Sequence, residues 1–189
     1  VVDVVVKVGG RLLRHVDDFQ AVLSTIDSAA RARRILIVPG GGPFADAVRT
    51  VDARLHLSDD AAHWMAVLAM DQYAWVIADR LTRSAFVMDP DAIRDALDVG
   101  RLPVLAPFHW MRRVDPLPHS WDVTSDSIAA WVAGAVGASR LVLVKPPGAD
   151  ARAEDKLVDA HFSRTLPGAV TSVIVAADRR DALRAQLFD

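Results

Sequence analysis

Residues 35–43 read Ile-Leu-Ile-Val-Pro-Gly-Gly-Gly-Pro. The run Ile35–Val38 is aliphatic at every position, so both of its faces need cover, the condition of a strand inside a parallel sheet. Three glycines follow at once, and ordering each costs roughly 0.5–1 kcal/mol. A loop that only had to turn would use fewer. Pro43 stands where the first turn of a helix tolerates proline, so Gly40, Gly41 and Gly42 are expected to present N–H groups at a helix N-terminus, a ready anion site.

Working outward, the same pattern recurs. Val1–Val8 and Leu141–Val144 are further aliphatic runs, and Val173–Val175 is a shorter one. Ala85–Met88 and Val104–Ala106 are weaker strand candidates. Between the runs lie helical patterns at Val16–Ala32, Pro43–Leu55, Asp59–Leu81, Asp91–Val99, Ser125–Val136 and Arg179–Leu187. Strands alternating with helices predict an α/β fold with helices on both faces of a sheet. Asp89-Pro90-Asp91 and Ser58-Asp59-Asp60 each offer a cap and first-turn acid at a helix start. Trp64, Leu68, Trp75 and Val76 form a stripe along the long helix, read as core or a dimer face. Residues Pro103–Pro118 are read as strands joined by a structured loop, and Pro146–Glu154 as an exposed loop. No repeat or linker divides residues 1–189, which are read as one domain.

Composition narrows the classes of function. The 189 residues hold no cysteine, which removes disulfides, thiolate metal sites and a cysteine nucleophile. A formal charge of −2 gives no general attraction to nucleic acid or an anionic membrane. The first eight residues carry Asp3 and Lys7 and do not read as a signal peptide. No apolar run approaches the roughly 20 residues that span a bilayer. A cytoplasmic protein without membrane or nucleic-acid partners is expected.

The chemistry concentrates in three places. Lys7 closes a strand that is otherwise apolar, and a buried lysine needs a paired anion. Gly9 and Gly10 follow it and allow the backbone to approach a ligand at the strand's carboxyl edge, where open α/β sheets bind. At the second place, Gly40–Gly42, the same argument holds. The third is Trp121-Asp122-Val123-Thr124-Ser125-Asp126-Ser127, which sets five polar side chains at one helix entry where one cap suffices. Thr124 or Ser125 can serve as the cap, leaving Asp126 to orient Lys7 or to hold metal. Neither a P-loop nor a G-x-G-x-x-G turn occurs. No histidine pair has metal-ligand spacing, and His63, His109 and His161 are read as packing or surface residues.

Taken in order and spacing, Val-Val-Lys-Val-Gly-Gly, Val-Pro-Gly-Gly-Gly-Pro and Thr-Ser-Asp-Ser resemble the amino acid kinase superfamily over about residues 3–147. The resemblance implies a three-layer αβα sandwich with a mostly parallel central sheet, and ATP with Mg2+ carried by the nucleotide. It implies Lys7 on the transferring phosphoryl group, Asp126 orienting it, and Gly9, Gly10 and Lys145 along the ATP phosphates. Gly40, Gly41 and Gly42 would meet the acceptor, with Thr124 and Ser125 nearby. After Lys145 the sequence runs Pro-Pro-Gly-Ala-Asp instead of the family's Asp-Gly turn, and the chain is short on the nucleotide-binding half; Lys156 is the remaining lysine there.

Length and the run Leu117–Ser127 are similar to a narrower branch, the aminomethylfuran phosphate kinases of methanofuran biosynthesis and their bacterial relatives. That likeness implies a phosphate-bearing acceptor turned into a diphosphate, with His119 and Trp121 beside it. A kinase for a carboxylate or carbamate, and a sensor domain for a small anion without catalysis, are the competing expectations. The apolar helix Asp59–Leu81 suggests a homo-oligomer.

Overall fold

The computed structural model describes residues 1–149 and 157–188. Six strands form one sheet: β1 (Val4–Val8), β2 (Ile35–Pro39), β3 (Ser84–Val87), β4 (Leu102–Leu105), β5 (Arg140–Lys145) and β6 (Thr171–Ala176). Their order across the sheet is β3-β4-β2-β1-β5-β6, and every pairing is parallel. β1 and β2 are buried at all positions, which explains why β2 reads as an unbroken apolar run and β1 as one broken only by Lys7.

Side chains on the two faces enter two separate cores. One face carries Val5, Leu36, Leu141 and Leu143, covered by α4 (Pro90–Asp98), α5 (Phe108–Val114) and α6 (Ser125–Ala135). The other carries Val4, Val6, Ile37 and Val142, covered by α1 (Val16–Ala29) and the last helix, Arg180–Phe188. Helix α3 (Asp59–Asp79) serves both: Trp64, Val67 and Met70 enter the first core, Tyr73, Ala74 and Ile77 the second. Helix α2 (Gly42–Leu55) packs along α3 through Ala45, Val48 and Ala69. The result is the expected α/β sandwich, with a sheet parallel throughout.

Several local expectations change. The segment Pro103–Pro118 contains α5 rather than a loop between strands; its Phe108 N–H is capped from outside by Asp71 Oδ1 at 3.0 Å. Proline before a helix and a capping carboxylate on another element give no periodic signal in so short a stretch. The stripe Trp64, Leu68, Trp75 and Val76 does not share one face: Trp64 is buried, whereas Leu68 and Trp75 are exposed. Asp89 and Ser58 cap as expected, accepting from Ala92 N and Ala61 N. The loop reading of Pro146–Glu154 falls partly, and Lys156 wholly, outside the described residues.

Candidate active site

Strand alternation brings two lysines together. Lys7 shares the face of Val5, and Lys145 shares that of Leu141 and Leu143, because side chains repeat every second residue. Parallel register sets Lys7 beside Leu143 and Val8 beside Val144, so Lys145 lies one step beyond on the neighbouring strand. Helix α6 covers this face and begins at the carboxyl edge. Asp126 in its first turn therefore reaches both ammonium groups: Oδ1 lies 2.9 Å from Lys7 Nζ and Oδ2 lies 2.7 Å from Lys145 Nζ.

All three groups are buried, with 4%, 5% and 8% of Lys7, Asp126 and Lys145 exposed. Burial works to raise the Asp126 carboxyl, but the two ammonium charges outweigh it and hold the group below the usual carboxylate range. Burial first, then the charge of Lys7, pushes Lys145 down to about 8, against the pull of Asp126 and Asp159. Two cations share one anion. The cluster thus keeps a unit of positive charge at a cavity wall, an arrangement suited to a phosphoryl oxygen.

The cavity has a volume of about 390 Å³, within the range of small-molecule sites. Its wall includes Lys7, Gly9, Gly10, Lys145, Gly41, Gly42, Trp121, Thr124, Ser125 and Asp126. Ten of the residues singled out from sequence are thus gathered round one space. Gly40 and His119 are not on that wall.

The glycine turns touch each other, backbone on backbone. A Cβ on Gly10 would lie 2.0 Å from Gly42 N, and one on Gly40 would lie 2.6 Å from Gly10 N. Gly42 also has φ near +57°, a conformation that favours glycine. Close approach of the turns is thus a second reason for the glycines, beside phosphate contact. Two N–H groups are already spent: Gly9 donates to Val144 O at 3.0 Å and Gly40 to Val8 O at 2.9 Å. For these two residues the expectation of an N–H group facing an anion is corrected. Gly10 opens a short 3₁₀ turn, Gly10–Arg14, and Gly42 opens α2, so their N–H groups stand at helix starts.

The far wall is aromatic and only partly buried. Trp121 donates from Nε1 to Asp52 Oδ2 at 2.8 Å, and the Arg49 guanidinium lies 4.7 Å from its ring centroid. Arg49 also donates to Asp46 at 3.3 Å. His63, read from sequence as a packing or surface residue, is buried and lines the cavity. It stacks on His119 at 4.3 Å. His119 stands behind it, its ring nitrogens 3.0 Å from Asp60 and 2.8 Å from Asp115, so it supports the wall instead of meeting a ligand. Burial, then the neighbouring His119, pushes His63 down to about 4.

Sequence reading also passed over Arg11, Arg49 and Asp159 on the wall. For Arg49 the signal was available: it lies on α2 two turns after the glycines, on the side of Ala45 and Asp46. Asp159 offered none, as its partners at the start of α6 lie more than 30 residues away. Thr124 does cap α6, accepting from Asp126 N at 3.3 Å. No group of three or more His, Asp or Glu arranged to hold a metal occurs among the described residues. Asp126 is committed to two lysines, so the residues present do not make a resident metal site.

Comparison with known proteins agrees with this geometry. A protein named [5-(aminomethyl)furan-3-yl]methyl phosphate kinase from Methanocaldococcus jannaschii is 31% identical over 130 residues, 68% of this chain and 58% of the relative. The chain therefore spans less than two thirds of that relative's length. Among solved structures, the uridylate kinase of Archaeoglobus fulgidus superposes with a TM-score of 0.71 at 14% identity, covering 97% of this chain and 96% of that one. The UMP kinase of Ureaplasma parvum gives 0.72 at 16% identity, with coverage of 95% and 92%. At these identities the likeness is one of fold. The sequence profile of the amino acid kinase family matches residues 4–146, well over half of the chain. The chain belongs to the amino acid kinase family.

Proposed function

We propose that the protein is an ATP-dependent kinase that transfers the γ-phosphoryl group to a phosphate-bearing small molecule, with an (aminomethyl)furan phosphate as acceptor and its diphosphate as product. The observation that carries this reading is the buried Lys7–Asp126–Lys145 cluster at the sheet's carboxyl edge, next to two touching glycine turns. Phosphoryl transfer asks little covalent work of a protein and much positioning and charge neutralisation. Lys7 would bear on the transferring group and Lys145 on the ATP phosphates, with Asp126 fixing both. Gly10 would face the donor and Gly41 and Gly42 the acceptor. Thr124 and Ser125 flank the gap between them.

An acceptor phosphate is already ionised near neutral pH, so no strong general base is needed. Arg49, which lies over Trp121, would supply cationic charge on the acceptor wall, and the Trp121 ring offers a flat face for a ring-shaped acceptor. The 31% identity to a protein named as an aminomethylfuran phosphate kinase supports the same acceptor class. Mg2+ would enter with ATP, balancing phosphate charge, since Asp126 is already shared by two lysines and Asp159 by N–H and O–H donors. Intracellular ATP makes the cytoplasm the natural compartment. A homo-oligomer through exposed α3 residues such as Trp75 fits the same reading, as does one domain whose nucleotide-binding half is short.

The test is ADP release with three acceptors: aminomethylfuran phosphate, the matching furan alcohol and a small carboxylate. Release that requires the acceptor's phosphate is the expected result. Release with the carboxylate, trapped as a hydroxamate by hydroxylamine, would move the assignment to an acyl-phosphate kinase, and no release with any acceptor would favour an anion sensor.

A further inference from the structure

Asp159 lies on the cavity wall, yet its carboxylate is turned into the protein. Oδ2 accepts from Thr124 N at 3.0 Å, Thr124 Oγ1 at 2.7 Å and Ser127 N at 3.0 Å. Oδ1 accepts from Ser127 Oγ and from His161 N at 3.1 Å. Five donors converge on one side chain, four of them from the entry of α6. A helix start of this length needs one cap, and Thr124 already provides it. The additional carboxylate comes from a segment beyond β5.

Residues 124 and 127 bracket Asp126. Fixing both leaves the intervening residue little freedom, and Asp126 has to hold a separate oxygen on each of two lysines. A displacement of a few tenths of an ångström would lengthen one ion pair and favour the other. Charge acts in the same direction, since a carboxylate at a helix N-terminus is stabilised there and adds negative field beside Lys145. Lys145 is faced by Lys7, Asp126 and Asp159, so Asp159 also helps keep it protonated.

We propose that Asp159 is a positioning residue of the lysine–carboxylate centre: by clamping Thr124 and Ser127 from outside α6 it keeps Asp126 shared between Lys7 and Lys145. This rests on the kinase reading for its catalytic part and on geometry alone for its structural part. Asp159 is not a metal ligand, since its oxygens are occupied by N–H and O–H donors.

The sequence holds three lysines, Lys7, Lys145 and Lys156, so selective ¹³Cε-lysine labelling gives a short, assignable spectrum whose titration needs no acceptor. In Asp159→Asn the Lys145 midpoint is expected to fall below the wild-type value by about half a unit or more. In the same variant kcat should drop about tenfold while KM for ATP stays near wild type. A wild-type Lys145 midpoint, or a wild-type kcat, would overturn the proposal. If Asp159→Asn does not fold, Ser127→Ala, which removes one donor, is read in its place: a severalfold lower kcat is expected, and an unchanged kcat refutes the clamp. Failure of the kinase reading would look different, as absence of turnover by the wild-type protein; the Lys145 midpoint then decides alone.

Discussion

The two ends of the cavity are built on opposite principles. At the end proposed for the donor, the side chains of Lys7, Asp126 and Lys145 are only 5%, 7% and 10% exposed, and each charge has a fixed partner. At the end proposed for the acceptor, the Arg49 side chain is 49% exposed, leans on the Trp121 ring and pairs with Asp46. Buried ion pairs are rigid and costly to break; exposed ones adapt and contribute little stability. On the proposed function, the contrast gives rate to one end and choice of acceptor to the other.

The strongest way to break that division is Lys7→Ala. If Lys7 bears on the transferring group as proposed, its removal should lower kcat by on the order of 10³, with Lys145 still pairing Asp126 and the fold kept. Steady-state kinetics beside a circular dichroism melt would check this, and near-normal turnover would refute the role. Next comes the seam where the ends meet. Gly10→Ala places a methyl 2.0 Å from the backbone nitrogen of Gly42, so the turns must part, and urea unfolding should show a loss of about 2 kcal/mol or more together with lost activity.

Arg49→Ala should act on acceptor choice instead, raising the acceptor KM about tenfold while kcat and the ATP KM change little. An equal loss in kcat would mean that the acceptor end also shapes the rate.

Two pH effects sharpen the same contrast. At the donor end, Lys145 sheds its proton through about pH 8, so kcat should decline as pH rises past that value. At the acceptor end, His63 stays neutral in the fold down to about pH 4 but titrates at its ordinary 6.5 when unfolded. Its folded pKa is depressed, so the unfolded chain binds the extra proton, and stability is lost as pH falls from 6.5 toward 4. His63→Gln should flatten that window in urea titrations, with little effect at pH 8.

What the sequence disclosed follows the same physics. β1, β2 and β5 are legible because their inner positions, buried on both faces, are aliphatic, with Lys7 and Lys145 standing out at the carboxyl ends of β1 and β5. Lys7, Asp126 and the glycines are legible because each departs from what its local element requires. Lys145 was visible as a strand-end lysine, but its sharing of Asp126 needs the parallel register. The stacking of His63 on His119 and the reach of Asp159 to Thr124 and Ser127 arise only when distant segments meet. Gly40 shows the converse limit: its glycine character is explained by contact with Gly10, so a motif read as ligand-facing is partly a packing device. Helix α5 escaped notice because its cap, Asp71, belongs to α3.

The most direct test of the account is phosphorus NMR of ATP, Mg2+ and aminomethylfuran phosphate with the wild-type protein and with Lys7→Ala. The account predicts a new pair of diphosphate resonances growing as the acceptor phosphate signal declines, present for the wild type and absent over the same time for the variant. Equal product with both proteins, or an acceptor signal that the wild type leaves unchanged while ATP is consumed, would contradict it.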